Sequence, residues 1–180
     1  MTDFSPREPM PDSGQDPIDP GVLRIAQRLK QTLQRDTLVQ RTVDRLRTLL
    51  KVDRVVLYHF YSQWQGQVTF ESIEFPGLSI FGSTGADDCF NEDYAELYLQ
   101  GRILAIANIE SEPIHPCHRD FLRSLDVRAN LVAPILTQKG LWGLLVAHHC
   151  QKVRTWNEAD IAAIRQSATV LASSPAIQTS

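Results

Sequence analysis

An α+β domain, an antiparallel sheet with long helices on one face, is the fold class the sequence predicts, and three observations carry it. Apolar residues recur at three- and four-residue steps near both ends of the chain. Between them lie two pairs of β-branched or aromatic runs, each joined by a short polar turn, and an irregular stretch, 75–130, separates the pairs. The 180 residues suit one domain of ordinary size plus a tail, and 43% apolar residues suffice for one core.

Taken in order, residues 1–20 hold five of the ten prolines and few large apolar groups. Such a segment cannot offset its own ordering entropy, so it reads as a disordered tail, with the domain at 21–174. Val22, Ile25, Ala26, Leu29 and Leu33, then Val39, Val43, Leu46 and Leu50 after Asp36, mark two amphipathic helices. "DRVVLYHFY" and "QVTFESIEF" flank "SQWQG", whose Gly suits a short loop, so a hairpin is expected over 54–74. "NEDYAELYLQ" reads as a short helix capped by Asn91, and a second follows Cys117, from Arg119 to Leu125. Short helices in the irregular stretch would cover the free face of the sheet, where a pocket can form.

"NLVAPIL", "TQKG" and "LWGLLVAHH" give two nearly continuous apolar strands at the centre of the sheet, with Pro134 at a bulge or an edge because it donates no ladder bond. Thr155 and Glu158, in capping-box spacing, open a last helix that presents Ile161, Ile164, Ala168 and Leu171 and stops at Pro175, leaving 175–180 as a tail. Trp64 and Trp142 read as structural, Trp156 as a core anchor.

Composition removes several classes. A net charge of −3, with Lys and Arg spread along the chain, leaves no electrostatic footprint for nucleic acid. The apolar runs are too short to cross a bilayer and no signal peptide opens the chain, so the expectation is a soluble cytoplasmic protein. Three cysteines, an odd number, argue against a secreted disulfide framework and predict reduced thiols at Cys89 and Cys117.

Those two thiols, 28 positions apart, both have ionisable neighbours. Asp87 and Asp88 should raise the pKa of Cys89, whereas an imidazolium at His115 or His118 would lower that of Cys117 and make it the better nucleophile. Cys150, ending an apolar strand, reads as a small buried hydrophobe. "HPCH" and "HHC" contain zinc-type residues but lack the Cys-x-x-Cys spacing of a structural site, and no signature of a Cys-His hydrolase is present.

"DDCF" at 87–90, "YLQGRILAI" at 98–106, "CH" at 117–118, "VRANLVAPIL" at 127–136, "LWGLLVAHHC" at 141–150 and "RTW" at 154–156 together resemble a cyanobacteriochrome GAF domain of the phytochrome superfamily, over residues 21–172. The first motif resembles the Asp-x-Cys-Phe, dual-cysteine subfamily. The resemblance implies a central antiparallel sheet with the bilin pocket on the face away from the helices. It also implies a covalently attached linear tetrapyrrole, phycocyanobilin and/or phycoviolobilin: Cys117 as its stable thioether, His118 packed against it, Asp87 accepting from the pyrrole nitrogens and His148 near the outer D ring. Cys89 is implied as a second thiol that adds reversibly to the central methine bridge, with Phe90 completing the motif beside it.

Breaking that conjugation shifts absorption to the blue and releasing the thiol restores it, so the implied function is a photoreceptor with a blue-absorbing dark state and a longer-wavelength photoproduct. Arg102 and Arg128 are candidates for the propionates, since guanidinium binds carboxylates bidentately. Tyr94 and Tyr98, four apart, share a helix face toward the pocket. Self-attachment of the pigment is not enzymatic turnover, so no enzyme is expected. The alternative is a non-photosensory GAF domain that binds a small ligand such as a cyclic nucleotide, or that dimerises. Two features depart from the family. "SSPAIQTS" stands where a long signalling helix would continue, which predicts an excised domain or a receptor that signals through a partner protein, possible homodimer included. Asn108 stands where relatives often carry an acid.

Overall fold

The computed structural model describes residues 20–85 and 92–180. Helices α1 (Pro20–Arg35) and α2 (Thr37–Leu50) lead into the hairpin β1 (Arg54–Ser62) and β2 (Gln65–Ile73) and a 3-10 turn at Pro76–Leu78. There follow α3 (Glu92–Leu99), β3 (Leu104–Ile106), α4 (Pro116–Ser124), the hairpin β4 (Ala129–Thr137) and β5 (Gly140–His149), α5 (Glu158–Ala172) and α6 (Pro175–Gln178). The strands form one antiparallel sheet in the order β2-β1-β5-β4-β3, the α+β class expected.

Strand alternation assigns each side chain to a face. Val55, Leu57, Leu131, Ala133, Ile135 and Leu145 meet Leu29 and Leu33 of α1, Val43, Leu46 and Leu50 of α2, and Ile164, Ala168 and Leu171 of α5. Full burial of a Leu or Ile contributes about 1.5–3 kcal/mol, so this layer dominates stability. Val56, Val132, Leu144 and Val146 face the other way, toward Tyr98 of α3.

Corners are fixed by polar groups. Asp36 caps α2 by accepting from Leu38 N at 2.9 Å and Val39 N at 3.2 Å, and its second oxygen accepts from Ser174 Oγ at 2.7 Å. Trp156 is buried and donates from Nε1 to Ile106 O at 3.0 Å, the anchor expected. Pro134 lies in β4 beyond the three residues paired with β3, next to a register irregularity at Ile135 and Leu136, so its missing N–H costs no ladder bond.

Four local expectations are corrected. The first hairpin turns at Gln63–Trp64 with Trp64 at φ 63°, while Gly66 lies in β2, where a Cβ would strike His59 O. Helix α4 starts earlier than expected, at Pro116, so Cys117 is inside its first turn. The capping box of α5 pairs Asn157 with Asp160 rather than Thr155 with Glu158. Beyond Pro175 the chain is packed: Ala176 and Ile177 are buried, and Trp142 Nε1 donates to Ser180 Oγ at 2.7 Å.

Candidate functional site

A cavity opens on the sheet face away from the helical layer, with about 910 Å³ of empty space counting its open mouth. Its floor is Val56, Val132, Leu144 and Val146, one wall is Tyr58, Phe60 and Trp64, and the roof comes from Tyr94 and Tyr98 of α3 and His118, Phe121 and Leu122 of α4. The wall is a chain of edge-to-face rings: Tyr58 to Phe60 at 5.4 Å between centroids and Phe60 to Trp64 at 5.8 Å.

The lining is largely apolar or aromatic, with Ser83, His118, Asn130 and His148 among its polar members, and the end at His148 is braced from behind. There Arg54, 2% exposed, donates from Nε to His148 Nδ1 at 2.8 Å, from Nη1 to Leu78 O at 2.9 Å and from Nη2 to Leu125 O at 2.6 Å. One guanidinium thus ties β1 to β5, to the 3-10 turn and to the end of α4. Burial, with Arg54 and His118 adding to it, holds the His148 pKa well below the usual imidazole range, so the ring is neutral at physiological pH. His149 points to the opposite side and meets Asp53 Oδ2 at 2.7 Å. Burial works against the Asp53 carboxylate, but bonds from Cys150 N, His149 and Gln151 outweigh it and lower its pKa.

Cys117 and His118 sit in the first turn of α4, whose N-cap is His115 with Nδ1 accepting from Cys117 N at 3.3 Å. Burial first, and the charge of His115 second, lower the His118 pKa. A lowered pKa makes an imidazolium at His118 less available to activate Cys117 than the sequence suggests. Cys117 is disulfide-bonded, a correction to the reduced thiol expected, whereas Cys150 is a half-buried free thiol whose pKa burial pushes up. Burial also pushes the Tyr98 hydroxyl up, with Arg102 opposing and Tyr94 reinforcing, so it stays protonated and able to donate.

The cavity thus gathers His118, His148, Tyr94 and Tyr98 from the candidate set, with Cys117 adjacent to His118. Arg102 and Arg128 are exposed and do not line it, although Arg102 lies close enough to act on Tyr98. Asp87, Cys89 and Phe90 lie outside the described residues. Asn108 is not in the lining; its Oδ1 accepts from Glu110 N at 3.0 Å in a turn. Sequence reasoning missed Arg54, Tyr58, Trp64 and Asn130. For Arg54 and Asn130 a signal existed, because strand alternation places both on the same face as His148.

A sheet with long helices on one side and a cavity roofed by short helices on the other defines an α+β domain with a pocket on its free sheet face. Residues 34–174 match the GAF domain family, and the chain belongs to it, in the phytochrome-related group that includes the cyanobacteriochrome GAF domains. It is 54% identical over 155 residues, 86% of this chain and 95% of the other, to an uncharacterised protein of Picosynechococcus sp. PCC 7002. The structure of the cyanobacteriochrome receptor PixJ is 36% identical with a TM-score of 0.65, covering 82% of this chain and 93% of that one. The blue-light-absorbing form of the Thermosynechococcus elongatus PixJ GAF domain is 34% identical with a TM-score of 0.64, covering 87% and 90%. A phycoerythrobilin-bound GAF domain of a cyanobacterial phytochrome is 30% identical with a TM-score of 0.67, covering 84% and 93%. The circadian input-output histidine kinase CikA of Synechocystis sp. PCC 6803 is 30% identical over 88% of this chain, which spans 24% of that kinase. No described helix is long and apolar enough to cross a membrane.

Proposed function

We propose that this domain holds a linear tetrapyrrole, phycocyanobilin or its isomer phycoviolobilin, by a thioether to Cys117, and works as a photoreceptor in which Cys89 is a second, reversible thiol. The observation that carries the reading is the juxtaposition of Cys117 and His118, in the first turn of α4, with an aromatic-walled cavity that has one buried polar end. The residues fit a long, flat, conjugated ligand: its faces would meet the apolar floor and the rings of Tyr58, Phe60 and Trp64, and its polar edges His118, His148 and Tyr98. The similarity to a blue-light-absorbing and to a phycoerythrobilin-bound GAF domain supports the same reading. When bound, the pigment supplies the light absorption and the double-bond isomerisation.

The chain's own residues hold and orient it. The buried apolar floor keeps water from one face of the ligand, Asp87 is proposed to accept from the pyrrole nitrogens, and Arg102 and Arg128, outside the cavity, are proposed for the propionates. Signal output then passes to a partner protein or to a joined domain, and no turnover is proposed beyond self-attachment. A cyclic-nucleotide reading fares worse, because no Lys or Arg is among the described lining residues to meet a phosphate.

The test is production of the chain together with phycocyanobilin, followed by a reducing, denaturing gel. A thiol reductant is present during pigment loading, because the Cys117 disulfide must be reduced before its sulfur can add. Pigment should travel with the wild-type band and be absent from Cys117→Ala. Colourless wild type, or normal loading of the variant, overturns the assignment.

A further inference from the structure

Helices α1 and α2 carry a charge opposite to that of the rest of the chain. Residues 20–51 hold eight Lys or Arg against two Asp, a net of +6 in a chain of net −3, so the remaining residues carry −9. Both acids are engaged locally: Asp36 caps α2 and holds Ser174, and Asp44 accepts from Ser72 Oγ at 2.5 Å. None of the four ion pairs among the described residues reaches either helix. On α2 the charge has a definite shape. Leu38, Arg41, Arg45 and Leu49 follow one another at steps of three and four residues and are all exposed, Leu38 at 37% and Leu49 at 62%. They form one ridge on the solvent side of the helix, while Val39, Val43, Leu46 and Leu50 turn into the core. Two arginines one turn apart repel each other and destabilise the helix that bears them, and an exposed Leu gains little from folding, so the fold alone gives no reason for the ridge.

We infer that this ridge is a docking surface for an acidic amphipathic helix of a partner protein, with carboxylates one turn apart pairing with Arg41 and Arg45 and apolar residues covering Leu38 and Leu49. A guanidinium binds a carboxylate through two parallel N–H bonds. Carboxylates four residues apart on a helix have the same rise as the two arginines, so both pairs form together along parallel or antiparallel axes. A second copy of the chain across a two-fold axis fits poorly, because it sets the arginines against themselves. A bilayer also fits poorly: neither helix has an aromatic residue, and their apolar sides are buried in the core. Nucleic acid would pair with the arginines but leave the two Leu side chains uncovered. The inference does not depend on the pigment; it gives the proposed photoreceptor a place for its output partner and states that partner's chemistry.

The full chain is titrated at low ionic strength, by fluorescence anisotropy, against a labelled helical peptide with two Glu four apart and a Leu one turn beyond each. A scrambled isomer of the same composition is titrated beside it. The patterned peptide should bind about tenfold more tightly than its isomer. Arg41→Gln with Arg45→Gln should weaken it about tenfold, roughly threefold for each exposed ion pair, with an unchanged circular dichroism spectrum. Leu49→Ser should weaken it while leaving the salt dependence as in wild type. Equal affinity for the two peptides, or binding untouched by the Gln substitutions, overturns the inference. Tighter binding of phosphatidylserine vesicles or of duplex DNA overturns the choice of a protein partner. Self-association of wild type in sedimentation velocity, abolished by the same Gln substitutions, gives the ridge to a second copy and overturns it as well. Pigment loading is read separately on the gel, so failure of the bilin reading and failure of this one are told apart.

Discussion

Replacing Arg54 by Met keeps the length and the apolar stem of the side chain and removes its five N–H donors. Three acceptors lose their partners at once: Leu78 O, Leu125 O and His148 Nδ1, all bonded within 2.6–2.9 Å. A buried acceptor left unpaired costs about 1–3 kcal/mol, which for three sets a ceiling near 9 kcal/mol. Against that, a charge no longer has to be desolvated; burial already lowers the Arg54 pKa, although a guanidinium starts high enough to remain cationic. Breaking one side of a buried ionic network typically nets about 3–5 kcal/mol, and that is the expected loss. For a domain of ordinary stability, about 5–15 kcal/mol, the variant still folds. With a urea slope of about 2 kcal/mol/M the midpoint of the pigment-free protein should fall by roughly 2 M. Circular dichroism through a urea titration measures it, with Arg54→Lys, which can replace one of the three bonds, falling between. A midpoint for Arg54→Met within about 0.5 M of wild type would refute the claim that this guanidinium organises the end of the pocket.

Three further outcomes follow from other sites. Burial lowers the His59 pKa to about 4 although Trp142 O, 3.0 Å from Nδ1, favours the charged ring; the unfolded chain thus binds more protons between pH 6.5 and 4, so His59 contributes stability that is complete above 6.5 and lost toward 4. Unfolding free energies at neutral and acid pH should show this as up to about 3 kcal/mol, and His59→Gln should flatten the slope; equal slopes would discard the assignment. In Gly143→Ala the new Cβ would strike Tyr58 O across the β1–β5 ladder, so Tm should drop by about 10 °C, and a calorimetric trace like that of wild type would contradict it. If Cys89 is the reversible second thiol, pigment-loaded Cys89→Ala should absorb in the orange or red in the dark while Cys117 retains the pigment; a dark spectrum that stays blue rules out that role.

Much of the architecture was legible because each strand carries its own two-residue period. Val55 and Leu57 against Arg54 and Val56, and Leu131 and Ala133 against Asn130 and Val132, announce two buried faces before any pairing is known. The three-residue β3 left no such trace, since its pairing with Asn130, Leu131 and Val132 is decided by distant partners. The start of α5 was misplaced by two positions because Thr155 and Asn157 both cap well, and only backbone geometry chooses. At the site, the Cys117–His118 pair and Tyr94 and Tyr98 could be picked from spacing and resemblance. Arg54 was harder: alternation places it on the pocket face, but an Arg at the start of a strand reads as exposed until its three acceptors are seen to surround it. The lowering of the His118 pKa was hidden for a similar reason: it follows burial, and burial is a property of the fold.

The alternation that separates helix-facing from cavity-facing residues has an evolutionary reading. On β1, β4 and β5 the side chains that hold the helical layer are never those that line the cavity, although they are immediate neighbours in sequence. Substitutions at Val56, Tyr58, Val132, Leu144 and Val146 can therefore drift, altering whatever the cavity accepts, while the residues between them keep the scaffold intact. The exception is Arg54, which lies on the cavity side yet braces the turn at Leu78 and the end of α4, so there the freedom to diversify stops.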